Sequence, residues 1–89
     1  MYARVATFTT DDVEGMIERV RGEVGGAPPP GLEGAKLLML VDRESGRALG
    51  ITLFETEEAL RRGDEALNAR PGGGGRTAVE IFEVPIARL

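Results

Sequence analysis

The side chains that could do chemistry in this 89-residue chain are few and of limited kinds. Cysteine and histidine are both absent, which excludes thiolate nucleophiles, imidazole bases and zinc sites built from these ligands. What remains is a single tyrosine, Tyr2, a nearby arginine, Arg4, and scattered carboxylates. We therefore predict neither a metal nor a cofactor, and the residue types alone assign no catalytic role.

The paired carboxylates occur where helices are expected to begin. Asp11 and Asp12 precede one apolar repeat, and Glu57 and Glu58 precede another. Acidic side chains at a helix N-terminus interact favourably with the helix dipole, which explains both pairs without a function. A site for a hard cation would need several oxygen ligands from one loop, and no such spacing occurs in the sequence.

The overall charge argues against nucleic acid and membranes as partners. The formal net charge is −4, from 15 acidic and 11 basic residues, and the basic residues form no stripe that could neutralise phosphates. No apolar run approaches the roughly 18 residues of a membrane span. The N-terminus lacks the basic and apolar regions of a secretory signal, so the sequence predicts a cytoplasmic protein.

The apolar pattern predicts the element order β-α-β-β-α-β. The first helix is expected from Val13 to Val24, because its apolar residues repeat along one helical face, with Thr9 as N-cap. The second is expected over residues 55–70, with Thr56 as N-cap. The strands are predicted over residues 2–8, 36–42, 47–55 and 77–89.

Three segments interrupt this pattern. Residues 25–34 contain three consecutive prolines, which remove backbone donors and predict a stiff loop. Residues 70–76 contain a run of glycines, but no Lys-Ser/Thr follows and the next element is a strand. We interpret this run as a linker and not as a phosphate-binding loop. Pro85 cannot donate to a ladder, so the tail is expected to leave the sheet or to reach elsewhere as an edge.

The central hairpin is apolar on both faces. Leu37 and Met39 alternate with Leu38 and Leu40. A strand with one solvent-exposed face would instead alternate apolar and polar residues. Interleaved β-α-β units predict an α+β, ferredoxin-like fold with a four-stranded antiparallel sheet and two helices on one face. The bare apolar face would be unusual on a soluble monomer, so we predict a homodimer that covers it. Gly50 indicates either a β-bulge or the close approach of another backbone or a ligand.

Three stretches of the chain resemble the antibiotic biosynthesis monooxygenase family of the dimeric α+β barrel superfamily. They are "PGLEG" at 30–34, the hairpin "LLMLVDRESGRALGITLFE" at 37–55 and "FETEEAL" at 54–60. The resemblance runs through most of the chain in order and spacing. It implies one domain over residues 1–89 and a dimeric barrel, and it is more specific for the fold than for an activity.

For function, the resemblance implies cofactor-free oxidation of an apolar aromatic small molecule. That chemistry needs a dry pocket, a proton acceptor and donors near the developing anion. The pocket candidates are Phe8, Met39, Phe54, Phe82, Tyr2 and Arg4. The more common role of such residues is structural, as core, strand-end or surface side chains.

The chain also departs from the family it resembles. The frequent tryptophan at the strand end is Phe54 here, and the histidine of the second helix is absent, so haem chemistry is not carried over. The alternatives are a non-catalytic dimeric ligand-binding or structural module of the same fold, and a subunit of a larger assembly.

Overall fold

The strands and helices follow the predicted order. The computed structural model of the chain describes residues 1–28, 30–69 and 75–88. The elements are β1 (Tyr2–Thr9), α1 (Val13–Val24), β2 (Lys36–Asp42), β3 (Arg47–Phe54), α2 (Glu57–Ala69) and β4 (Arg76–Glu83). The strands form one four-stranded antiparallel sheet in the order β2-β3-β1-β4. The predicted ferredoxin-like α+β fold is confirmed, while most of the predicted linker, residues 70–74, lies outside the described residues.

Both helices begin at side-chain caps, but only one cap was predicted correctly. Thr56 caps α2, because its Oγ1 accepts a hydrogen bond from the backbone N–H of Ala59 at 3.1 Å. Thr9 does not cap α1, since it is the last residue of β1 and pairs there with β3. Asp12 takes that place and accepts from the backbone N–H of Gly15 at 3.0 Å, as a short acceptor at this position does.

The last strand is shorter than predicted. β4 ends at Glu83, two residues before Pro85, which has no N–H to offer to a ladder. Val84 still donates its backbone N–H to the carbonyl of Met1 at 2.9 Å. The described part of the tail is not in a strand, as expected for a segment that leaves the sheet.

The turn between β2 and β3 is fixed by local hydrogen bonds. Gly46 has a φ of 70°, a conformation that favours glycine, and its N–H donates to the carbonyl of Asp42 at 3.0 Å. Hydrogen bonds from the side chain of Ser45 and from the backbone of Glu44 and Ser45 lower the pKa of the Asp42 carboxyl. The turn therefore holds the hairpin in one register.

Helix α2 packs closely on the sheet because one of its residues has no side chain. It lies against β1 and β3, and its buried residues are Leu60 and Gly63. The ring of Phe54, only 4% exposed, occupies the space at Gly63, where any Cβ atom would collide with it. The lack of a side chain at Gly63 therefore lets α2 lie close to the sheet.

Helix α1 lies over the same face of the sheet but buries little of its apolar stripe. Met16 is its buried residue, while Ile17 and Val20 are half-buried and Val24 is 55% exposed. Neither described helix is long and apolar enough to cross a membrane.

The opposite face of the sheet has no helix over it and is apolar. Leu38 and Leu40 of β2 are 46% and 47% exposed, and Phe82 of β4 is 48% exposed. By register Leu38 lies beside Ile51 and Leu40 beside Leu49, and Phe82 lies beside Ala3. We call this surface the open face. Both faces of the hairpin are apolar, as the alternation predicted.

Candidate functional site

The helix-covered face of the sheet is built of three cross-strand rows. The rows, each running from β2 through β3 to β1, are Leu37–Thr52–Arg4, Met39–Gly50–Ala6 and Val41–Ala48–Phe8. Successive rows are two residues apart along the strands, or about 6.6–6.8 Å. In the middle row the two central strands contribute only Gly50 and Ala6. The centre of this face therefore carries almost no side-chain volume.

Because these residues are small, a cavity of about 710 Å³ lies between the sheet and the helices. Its apolar walls include Phe8, Met16, Val20, Met39 and Leu67. Small-molecule sites in proteins have volumes of about 300–1,000 Å³ and are mostly apolar with a few polar groups. The size and lining of this cavity are those of such a site, and the cavity is the reason why α1 buries so little.

One end of the cavity is polar, and Arg4 is its centre. The Arg4 side chain is 4% exposed and donates through Nε to Asp64 Oδ1 at 2.7 Å and through Nη2 to Asn68 Oδ1 at 3.0 Å. Asp64 and Asn68 are four residues apart on α2, which places them on the same side of the helix. Arg76, at the start of β4, donates to the same Asn68 oxygen at 3.2 Å. With Asp64 offsetting Arg4, the cluster retains the positive charge of Arg76.

Two buried polar groups at this end have donors that the described protein does not use. Arg4 Nη1 and the hydroxyl of Thr52 make no hydrogen bond to any described residue, although Thr52 is only 8% exposed. Every fully enclosed side-chain nitrogen or oxygen among the described residues does have a partner. Nη1 and the Thr52 hydroxyl are therefore not fully enclosed. Both residues line the cavity, and they occupy directly paired positions of β1 and β3.

Of the six residues predicted for the pocket, three line the cavity and three do not. Arg4, Phe8 and Met39 line the cavity. Phe54 is buried against Gly63 of α2, outside the lining.

The other two predicted residues lie further away. Phe82 is on the open face, because its register partner Ala3 alternates with Arg4 along β1. Tyr2 pairs with Phe54 and Glu83 at the end of the sheet and is not among the lining residues.

Sequence reasoning missed the residues that complete the polar end. Thr52 interrupts an apolar strand, and a polar residue on a covered face was a signal that could have singled it out. Asp64 and Asn68 share a helical side, but their relation to Arg4, 60 and 64 residues earlier, comes only from the tertiary structure. Arg76 follows the glycine run and gave no signal.

Comparison of the chain with protein-family models, with curated proteins and with solved structures finds no match. The resemblance to the antibiotic biosynthesis monooxygenase family thus stays a prediction from the sequence. Among residues 1–28, 30–69 and 75–88, no three histidine, cysteine or acidic side chains are grouped as metal ligands would be. The chemical character of the site is that of an apolar cavity with hydrogen-bond donors at one end.

The ion pair at the polar end predicts a stability change. Asp64→Asn keeps the shape of the side chain but removes the charge that offsets a buried guanidinium, so we expect the free energy of unfolding to fall by about 2 kcal/mol. Chemical denaturation measures the change. The control is Glu57→Gln, which breaks the exposed pair with Arg61 on the same helix and should change stability by less than ~0.5 kcal/mol. Equal, small effects from both variants would contradict the anchoring role of Asp64.

Proposed function

We propose that the protein binds an apolar small molecule in this cavity and holds an oxygen atom of that molecule at Arg4 and Thr52. The observation that carries the proposal is the pair of unused donors, Arg4 Nη1 and the Thr52 hydroxyl, on residues more than nine-tenths buried. Both donors are accessible, since every fully enclosed side-chain nitrogen or oxygen among the described residues has a partner. A ligand oxygen in the cavity could therefore accept hydrogen bonds from both.

The charge near the polar end favours a ligand with an acidic group. Asp64 offsets the charge of Arg4, whereas Arg76, which also lines the cavity, donates to Asn68 and forms no ion pair with a described residue. A carboxylate or a phenolate at this end would interact favourably with the guanidinium groups. The rest of the molecule would contact Phe8 and Met39, so an aromatic acid or phenol fits the lining.

A second candidate function is cofactor-free oxidation of such a molecule, as the family resemblance suggests. A phenolate or enolate oxygen bound at the guanidinium and hydroxyl donors would have its developing negative charge stabilised by them. The reaction would convert an activated CH₂ group and O₂ into a C=O group and H₂O. The substrate supplies all four electrons, and one oxygen atom leaves as water. No cofactor is needed for that balance.

We also propose that two copies associate through the open face. Leu38, Leu40 and Phe82 form an apolar surface with half-exposed side chains, and such a surface is covered most simply by its own copy across a two-fold axis. The same face carries Lys36 at one end of β2 and Asp42 at the other, so opposed copies can bring unlike charges together. The predicted cytoplasmic location is retained as part of this proposal.

The binding proposal is tested by Thr52→Val, which replaces the hydroxyl by a methyl group of nearly the same shape. Because the hydroxyl makes no described hydrogen bond, we expect stability to be unchanged or higher, while affinity for 2-naphthoate falls by about fivefold or more. Heteronuclear NMR titration gives the affinity and locates the shifted residues. The control is Thr7→Val on the other face of β1, which should leave binding unchanged. A stable Thr52→Val protein with full affinity would remove Thr52 from the site.

The oxidation candidate is tested by oxygen uptake. In air-saturated buffer with an anthrone, we expect the wild-type protein to consume one O₂ per quinone formed, and Thr52→Val to do so more slowly because an oxyanion donor is lost. The same anthrone in buffer without protein gives the background rate. Binding without uptake above that rate would leave the non-catalytic ligand-binding function and exclude oxidation of this compound class.

The association proposal is tested by two separate variants, each of which places an arginine on one face of β2. Leu38→Arg places a charge on the open face and should convert a dimer into a monomer in sedimentation velocity at micromolar concentration. Leu37→Arg, at an equally exposed neighbouring position on the cavity side, should leave the dimer intact. A folded wild-type monomer at that concentration would contradict the proposal, and so would a Leu38→Arg dimer.

A further inference from the structure

We infer that the outer edge of β2 is an interaction surface, at which two copies of the chain pair strand to strand and join their sheets. This inference does not depend on ligand binding, and it concerns an edge of the sheet and not the open face. β2 and β4 are the two outer strands, so each leaves one row of backbone N–H and C=O groups without a neighbouring strand. No described loop or side chain hydrogen-bonds to this row at residues 36–41.

β4 has features that discourage pairing with another strand. Glu80 places a charge in the middle of the strand, and the register with β1 shifts between Thr7 and Phe8. Pro85, which has no N–H, follows soon after the strand. Charges, irregular pairing and proline are means by which proteins protect a sheet edge, so β4 is a poor template for a further strand.

β2 has none of these features between its ends. Five consecutive apolar residues lie between Lys36 and Asp42, and the ladder with β3 runs in continuous register, without a β-bulge at Gly50. Leu37 on the covered face is 45% exposed and Leu38 on the open face is 46% exposed. Similar exposure on both faces of one strand is the result of an uncovered edge, and an apolar edge of this kind is a template for pairing.

The residue order of β2 identifies the occupant as a second copy of the same strand. The strand has a basic residue at one end, an acidic residue at the other and apolar residues between them. When two copies pair antiparallel about a two-fold axis at Met39, Lys36 of each copy lies opposite Asp42 of the other. Opposite charges in directly opposed positions stabilise an antiparallel pair, whereas parallel pairing in register would bring like charges together. The remaining opposed pairs are Leu37 with Val41 and Leu38 with Leu40.

Both charged residues are available for this contact. Lys36 and Asp42 are exposed, and neither forms an ion pair with a described residue. Hydrogen bonds from Ser45 and Glu44 hold the Asp42 carboxylate at the end of the strand and lower its pKa. Pairing of the two copies therefore breaks no ion pair within either one.

Edge pairing leaves the open face free for the association proposed above. The axis at Met39 is perpendicular to the sheet, so both copies keep their helices on the same side. Combined with association through the open face, edge pairing gives a closed tetramer with D2 symmetry. A contact along one seven-residue strand is small for a specific interface, so we expect it at about 100 µM protein and above.

The test uses single cysteines, which are specific probes because the chain contains none of its own. In Met39→Cys the substituted residue lies opposite its own copy, at the Cα separation of about 4.5–5.5 Å of antiparallel pairs, which a disulfide can bridge. We expect mild oxidation at the stated protein concentration to give a disulfide-linked dimer on a non-reducing gel. Met39 lies on the covered face, so association through the open face does not produce this cross-link.

The matched control is Leu37→Cys, on the same face of the same strand and more exposed. In the inferred register, position 37 lies about 13–14 Å along the strands from its own copy, so this variant should not cross-link by itself. A mixture of the Leu37→Cys and Val41→Cys proteins should cross-link, because these two positions are opposed.

A second pair of variants tests the charges. Lys36→Glu, added to Met39→Cys, should slow cross-linking by about threefold or more, because each end of the paired strands then holds two acidic residues. Arg62→Glu makes the same change of charge at an exposed position of α2 and should leave the rate unchanged. Far-UV circular dichroism confirms that each variant is folded.

The outcomes are decisive for the edge and for its register. No disulfide from folded Met39→Cys would overturn the inference, and if that variant does not fold, the mixture of Leu37→Cys and Val41→Cys decides in the same way. Equal cross-linking by Leu37→Cys alone, or no effect of Lys36→Glu, would overturn the register that pairs Lys36 with Asp42. None of these results depends on whether the cavity binds a ligand.

Discussion

The absence of side-chain volume at the centre of the covered face is the constraint on which the rest of this structure depends. Protein interiors normally pack to the density of organic crystals, and in this fold the middle of the sheet is where the two helices would meet it. Here that place is occupied by Gly50 and Ala6. Helix α1 therefore contacts the rim of a cavity instead of a filled core, and Met16 is the one residue that it buries.

The polar end of the cavity depends on how closely α2 sits. Because Gly63 has no side chain, the Phe54 ring enters the helix surface and α2 comes down onto β1 and β3. That approach brings the next residue, Asp64, within 2.7 Å of Arg4. A buried guanidinium without such a partner would be strongly destabilising. A packing feature of one helix thus permits a charged side chain, Arg4, inside the domain and at the wall of the cavity.

The fold could be predicted from the sequence because its signals are local. Of the site, only Arg4, Phe8 and Met39 were predicted, because the rest is assembled from residues distant along the chain. Apolar periodicity indicated every helix and strand, and the cap at Thr56 followed from residue type. Thr9 failed as a cap because pairing with β3 outweighed its local preference. The same dependence on register sends Phe82 to the open face and brings Thr52 beside Arg4. Neither result can be obtained without knowing which residues are paired.

Each face of β3 costs the single chain stability, one because it borders an unfilled cavity and the other because its apolar surface is not covered by a helix. Gly50 faces an unfilled cavity, and its neighbour Ile51 lies on the open face beside Leu38. A domain of this size buries only about 60–65% of its unfolded surface, so it has little stability to spare for either deficit. Anything that binds only the folded state adds stability in proportion to the logarithm of its concentration over its dissociation constant. A ligand in the cavity and a second copy on the open face would act on opposite sides of the same strand, so each would stabilise the sheet on which the other binds.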